Sequence, residues 1–249
     1  MVTDESVLLV DAGNTLLKYV SLAQYKQHIY SSDSVTLLFR QLPTTPTHIF
    51  LCNVGKPEIE QQFFTYCDEN KIKLHLIETE KFRFGLQNSY LNVNKMGSDR
   101  WLAMVGAQTI AKKTFAVIDI GTAVTCDFVE NGQHLGGWIV PGFSLMQESL
   151  VKNTSKVTVH DQIPTTFRVG QDTEECVAMG CQAALRGVYL SAVDYLVSKQ
   201  APFSIIIGGG GKNMLAFAES NGSILVANLV VHGLARYAES LLPALVSNR

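Results

Sequence analysis

A short apolar run, Val7 to Val10, stops at the turn-formers Asp11-Ala12-Gly13-Asn14-Thr15. Leu17, Lys18, Tyr19 and Val20 then mix apolar and polar positions. An apolar run bounded by turn signals predicts a buried strand, and the segment after the turn reads as the strand returning. Residues 7–21 therefore read as a hairpin. The same pattern restarts at FAVIDIGTAVTCDFV, residues 115–129, and the two copies align Asp11 with Asp119 and Gly13 with Gly121.

The stretches between and after the hairpins alternate in period. Helical spacing covers 34–41 before Pro43, and again the segment beginning at Pro57, where proline suits a first turn. Strands are predicted at HIFLCNV and KLHLIE, and residues 79–97 read as irregular. A helix follows from Ser98, which we take as N-cap, with Lys112 and Lys113 in the last turn. Beyond the second hairpin come a strand and loop in HLGGWIVPG and an extended connection over 152–173. One or two apolar helices over 174–199 follow, with Gly180 and Gly187 allowing close helix contact. A strand in SIIIGGGG and a helix over 229–242 close the chain. Strands alternating with helices in each half define an α/β fold. The expected boundary lies near residues 112–115, giving units 1–113 and 114–249.

Composition narrows the function classes. With 249 residues, 47% hydrophobic and 17% charged, the chain carries ample material for a core, and length leaves one or two domains open. A net charge of −2 argues against a nucleic-acid footprint. Cys52, Cys67, Cys126, Cys176 and Cys181 show no metal spacing and read as thiols of a reducing compartment. The start lacks signal-peptide features, and SILVANLVVHGLA is too short to span a bilayer, so a soluble cytoplasmic protein without membrane partners is expected. None of the six histidines has a partner at metal spacing. Trp101 and Trp138 read as packing residues, and Glu174 and Glu175 as first-turn acids. Asp127 could influence the second loop or make an ordinary polar contact.

An Asp-x-Gly-x-Thr turn between strands suits phosphate. Glycine allows close backbone approach, and successive amides form an anion-binding concavity. Asn14 and Thr15 add donors, Lys18 adds charge, and Asp11 offers oxygen ligands to a hydrated magnesium ion. One copy reads equally as a tight hairpin. Two copies and the glycine turn of residues 208–211 resemble the phosphate and adenosine loops of the actin-like ATPase superfamily. That resemblance implies duplicated ribonuclease-H-like domains with ATP clamped in the cleft between them.

Gly97-Ser98-Asp99-Arg100 opens a helix. Asp99 fits the favourable macrodipole there, and it equally fits a group that accepts a hydroxyl proton. Arg100 offers a bidentate partner for a substrate carboxylate. DAGNT at 11–15, MGSDRWLA at 96–103, IDIGTAVTCD at 118–127 and GGWIVPG at 136–142 together resemble the successive signatures of type III pantothenate kinases.

The resemblance implies transfer of the ATP γ-phosphoryl group to pantothenate, opening coenzyme A synthesis. Asp11, Ala12, Gly13, Asn14, Thr15, Leu16, Leu17 and Lys18 would form the first ATP loop, with Thr122 contacting ATP from the second. Asp119 would ligate a monovalent cation, potassium or ammonium. Gly97, Ser98, Asp99, Arg100 and Tyr90 would hold pantothenate, with Asp99 as proton acceptor. Thr173, in Gly-Gln-Asp-Thr where the family has Gly-x-Asn-Thr, would reach the substrate from the partner of a homodimer. The alternatives are a kinase for another small hydroxylated acid and a non-catalytic regulatory member of the family.

Overall fold

The computed structural model describes residues 2–159, 164 and 166–242. The chain divides into two compact units, Met1–Ile110 with Asn228–Arg249, and Ala111–Ala227.

The first unit carries β1 (Val7–Ala12), β2 (Leu17–Ser21), β3 (Tyr30–Ser32), α1 (Val35–Gln41), β4 (His48–Asn53), α2 (Pro57–Glu69) and β5 (Lys73–Leu76). Its sheet runs β3-β2-β1-β4-β5. The β1–β2 and β2–β3 pairs are antiparallel, and β1–β4 and β4–β5 are parallel. Every residue of β1 is buried, which is why its sequence is nearly uniformly apolar. One sheet face packs Leu8, Val10, Ile49 and Leu51 against Leu38, Phe39, Phe63 and Cys67 of α1 and α2. The Ser34 hydroxyl caps α1 by accepting from Leu37 N–H.

A small hairpin follows, β6 (Phe82–Arg83) and β7 (Leu86–Gln87), and then α3 (Ser98–Ala107). The N-cap of α3 is Gly97, not Ser98, which already has helical backbone and turns its hydroxyl to Cys52. The helix stops at Ala107, so Lys112 and Lys113 fall at the start of the second unit instead of in a last turn.

The second unit carries β8 (Thr114–Ile120), β9 (Ala123–Glu130), β10 (Gln133–Pro141), α4 (Phe143–Asn153), α5 (Thr173–Ser198), β11 (Phe203–Gly208) and β12 (Ile224–Leu225), with a 3-10 stretch over Lys212–Asn221. Its strands lie in the order β10-β9-β8-β11-β12, with β8–β9 and β9–β10 antiparallel and β8–β11 and β11–β12 parallel. This repeats the first sheet strand for strand, so the sequence repeat is a structural duplication. The expected 152–173 connection begins after Asn153, and its residues 160–163 and 165, with His160, lie outside the described residues.

α5 is one continuous helix of 26 residues, and a window within it has a mean hydropathy of 1.3, enough by length and composition to cross a membrane. Its stripe of Ala178, Leu185, Tyr189, Ala192 and Leu196 is instead buried on Ile118, Phe128, Ile205 and their neighbours, as in a core helix. Four of the five free cysteines are buried, while Cys176 on this helix is exposed.

The last element, α6 (Leu229–Leu241), groups with the first unit, whereas the sequence reading assigned it to the C-terminal half. Its apolar face is buried beside α3, and two glycines make the approach possible. A Cβ on Gly106 would strike the Leu229 carbonyl and Gly233, and one on Gly233 would strike the Leu102 backbone. Tertiary packing, not chain order, decides which half owns α6.

Candidate active site

In the first unit, β1 ends at Asp11 and Ala12 and the chain turns through Gly13, Asn14, Thr15 and Leu16 into β2. Gly13 N–H closes the turn on the Leu16 carbonyl at 3.2 Å, and Asn14, Thr15 and Leu16 are exposed. Lys18 is the cross-strand partner of Asp11, with its Nζ 3.9 Å from the carboxylate. On the other side of β1, parallel pairing sets Asp11 beside Cys52 of β4. Cys52 Sγ lies 3.3 Å from Ser98 Oγ at the start of α3. Burial pushes the Cys52 thiol well up, and the carboxylates of Asp11 and Asp99 add to it, the Ser98 contact opposing. A thiol kept neutral between two acids marks where the first loop and the Gly97–Arg100 turn converge.

The absent side chain of Gly97 leaves room for the Asp99 carboxylate. A Cβ there would collide with the Asp99 carboxylate, which folds back over the glycine and accepts the Arg100 N–H at 2.7 Å. Asp99 is half-buried, whereas Arg100 is 6% exposed, and its Nη1 donates to the Tyr90 hydroxyl at 2.9 Å. A cavity of about 410 Å³ abuts this turn, lined by Gly97 and Ser98 together with Asn53, Glu60, Glu78 and Thr79.

The second unit builds a matching apex. Asp119, next to last in β8, lies opposite Thr125 and is in parallel register with Gly208. Gly121 N–H bonds the Ala123 carbonyl at 3.0 Å, and Gly142 N–H bonds the Thr122 carbonyl at 2.9 Å. A Cβ on Gly142 would meet the Gly121 and Thr122 backbone, and Gly209, at φ 83°, lies against Ile120. Two sequence-distant segments thus close on the second loop. Thr173 begins α5 next to its N-cap Asp172. It lines an open cavity of about 880 Å³ with Pro141, Met146, Leu150, Cys176 and Val177.

Sequence reasoning passed over several polar contacts. Cys52 carried no signal in an apolar strand. His48 and His75, which have no partner at metal spacing along the chain, meet across β4 and β5 with ring nitrogens 3.0 Å apart. His134 and Asp127 form a buried pair at 3.1 Å. The reading of the tryptophans holds: Trp101 is fully buried, and Trp138 packs edge-on against Phe128.

The five strands of each unit share one order, with a glycine turn after the first strand of each, which is the duplicated plan of the actin-like ATPase fold. The Gly-Ser-Asp-Arg helix start, with its acid and its arginine, lies in the first unit. Residues 7–198 match the model of the type III pantothenate kinases, and the chain belongs to that family. It is 34% identical over 239 residues to a type III pantothenate kinase of Pseudoalteromonas atlantica, covering 93% of this chain and 97% of that one. It is 38% identical over 241 residues to one of Pseudomonas aeruginosa, covering 92% and 97%. Among solved structures it resembles a protein of Campylobacter jejuni described as a Baf family transcriptional activator. That match has a TM-score of 0.61 at 20% identity, over 95% of this chain and 99% of that one. A protein of Sinorhizobium meliloti described as a 2-dehydro-3-deoxygalactonokinase matches with a TM-score of 0.53 at 11% identity, over 95% and 99%. At these identities the structural matches speak for the fold alone.

Proposed function

We propose that this chain transfers the γ-phosphoryl group of ATP to the terminal hydroxyl of pantothenate, giving 4′-phosphopantothenate for coenzyme A synthesis. The observation that carries the reading is the convergence of Asp11, Ser98 and Asp99 around Cys52, with Arg100 and Tyr90 bonded to each other alongside. An acid, an arginine and a phosphate turn are what a hydroxy-acid kinase requires.

In this reading the Gly13–Leu16 turn and Lys18 hold the ATP phosphates, and Thr122 contributes from the second loop. Asp99 orients the hydroxyl and accepts its proton as charge develops late in transfer. Arg100 pairs with the substrate carboxylate, and Tyr90 steadies it. The oxygen donor Asp11, at the end of β1 beside Lys18, fits a hydrated magnesium ion. Such an ion neutralises phosphate charge when bound. Asp119, near the end of β8, fits a monovalent cation, potassium or ammonium, by the same oxygen chemistry.

The enzyme works as a homodimer in the cytoplasm, with Thr173 serving the substrate site of the second copy. Support for that pairing comes from α5, whose Leu190 and Val197 are 58% and 57% exposed on the side away from its core stripe. Light scattering tests the dimer. A coupled ADP-release assay with pantothenate, ATP, magnesium and potassium tests the activity. Absence of turnover overturns the proposal, and turnover only with another hydroxy acid moves the substrate assignment.

A further inference from the structure

A closed circuit of contacts surrounds the acid-binding end of the first unit. Trp101 follows Arg100 directly, and its buried indole Nε1–H donates to the Tyr237 hydroxyl oxygen at 2.9 Å. That hydroxyl donates in turn to Glu80 Oε1 at 2.5 Å. The directions are forced: an indole N–H only donates, and an ionised carboxylate only accepts. Tyr237 is 3% exposed and Trp101 fully buried, so the indole N–H left alone there has little water to turn to.

Glu80 begins the segment that ends at Tyr90, and α6 clamps this segment a second time. Phe84, in the hairpin turn, has φ 53°, an uncommon conformation for a bulky residue. Its ring meets Tyr237 edge-on at 5.1 Å and lies under the Arg236 guanidinium at 4.5 Å. Arg83 reaches Ser240 on the same helix at 2.7 Å. The segment then returns to Tyr90, whose hydroxyl accepts from Arg100. Tyr90, Arg100, Trp101, Tyr237 and Glu80 are thus linked in a ring that α6 closes.

We propose that Tyr237 is a positioning residue for substrate binding: its hydroxyl, held between Trp101 and Glu80, sets Arg100 and Tyr90 at the separation that receives the substrate carboxylate. This rests on the reading of Arg100 given above. Burial, then the Glu80 contact, pushes the phenol pKa up, so the hydroxyl keeps its proton as a donor.

Tyr237→Phe keeps the ring against Phe84 and removes both hydrogen bonds. The expected result is a KM for pantothenate raised about tenfold, with KM for ATP within about twofold. Glu80→Ala gives the same split from a half-buried position, so the test survives if the first variant folds poorly. Glu80→Gln retains an acceptor and stays within about twofold of the parent. Combining Tyr237→Phe with Glu80→Ala adds little to either, as expected for one linked unit. Tyr189→Phe removes a tyrosine hydroxyl bonded to Ser223 in the second unit and controls for general loosening, lowering Tm without moving KM. A Tyr237→Phe enzyme with lowered Tm and unchanged KM for pantothenate overturns the positioning role. Arg100→Ala in the same assay separates the two failures. If it raises KM while Tyr237→Phe does not, only the positioning role falls; if it leaves KM unchanged, the reading of Arg100 falls and the proposal with it.

Discussion

Gly97→Ala separates what the fold tolerates from what the chemistry tolerates. The backbone at Gly97 has φ −57° and ψ 137°, open to any residue, so the substitution meets no conformational strain. The first atom a new Cβ meets is the Asp99 carboxylate oxygen, the free end of a side chain, which can swing aside. The stability cost should therefore be that of a poorer N-cap, about 0.5–1 kcal/mol. For a chain of this size that is a fall in Tm of about 1–4 °C. The carboxylate, however, must move by roughly 1 Å to regain van der Waals distance, and a misplacement of that size costs about 100-fold in rate. That corresponds to about 2.7 kcal/mol of barrier. Steady-state ADP release should show kcat falling by about two orders of magnitude. KM for ATP should stay near the parent value, because the Gly13–Leu16 turn is untouched. A variant with parental kcat would refute the argument that the carboxylate over Gly97 is the reacting group.

Three further outcomes follow from the same geometry. Asp99→Asn keeps an acceptor for the Arg100 N–H, so Tm should hold while kcat falls by well over tenfold in the ADP-release assay. Gly233→Ala drives a methyl group into the Leu102 backbone, which cannot swing away, and should cost about 1–3 kcal/mol, read as a lowered urea midpoint. Burial pushes His75 down to about 4, helped by neighbouring His48 and Lys73, and burial and Lys73 also lower His48. An unfolded imidazole titrates near ~6.5, so the unfolded chain takes up protons first as pH falls. The contribution of His75 to stability is whole above that value, declines toward about 4 and flattens below it. Urea midpoints measured across this window should show the slope, and His75→Gln should reduce it.

Much of the architecture is legible in the residue pattern because it is local. Apolar runs ending in Asp-x-Gly turns can form only a few structures, and both hairpins appear where that pattern sets them. The second copy of the turn is what marks duplication, and the five strands of each unit share one order. Helix ends are less legible. Ser98 has the side chain of an N-cap, but space over Gly97 and the Cys52 sulfur draw it into the first turn.

What the chain alone determined, then, is the duplicated α/β plan, the two glycine turns and the Gly-Ser-Asp-Arg start of α3. These follow from periodicity and backbone freedom, which depend on near neighbours. Tertiary structure decided the company those residues keep. Parallel register sets Asp11 beside Cys52, and α3 then brings Ser98 and Asp99 to the same thiol. Packing of α6 on α3 through Gly106 and Gly233 returns the end of the chain to the first unit and brings Tyr237 between Trp101 and Glu80. No spacing rule connects residues 80, 101 and 237, because that hydrogen-bonded chain exists only once burial leaves each polar group to find its partner within the fold.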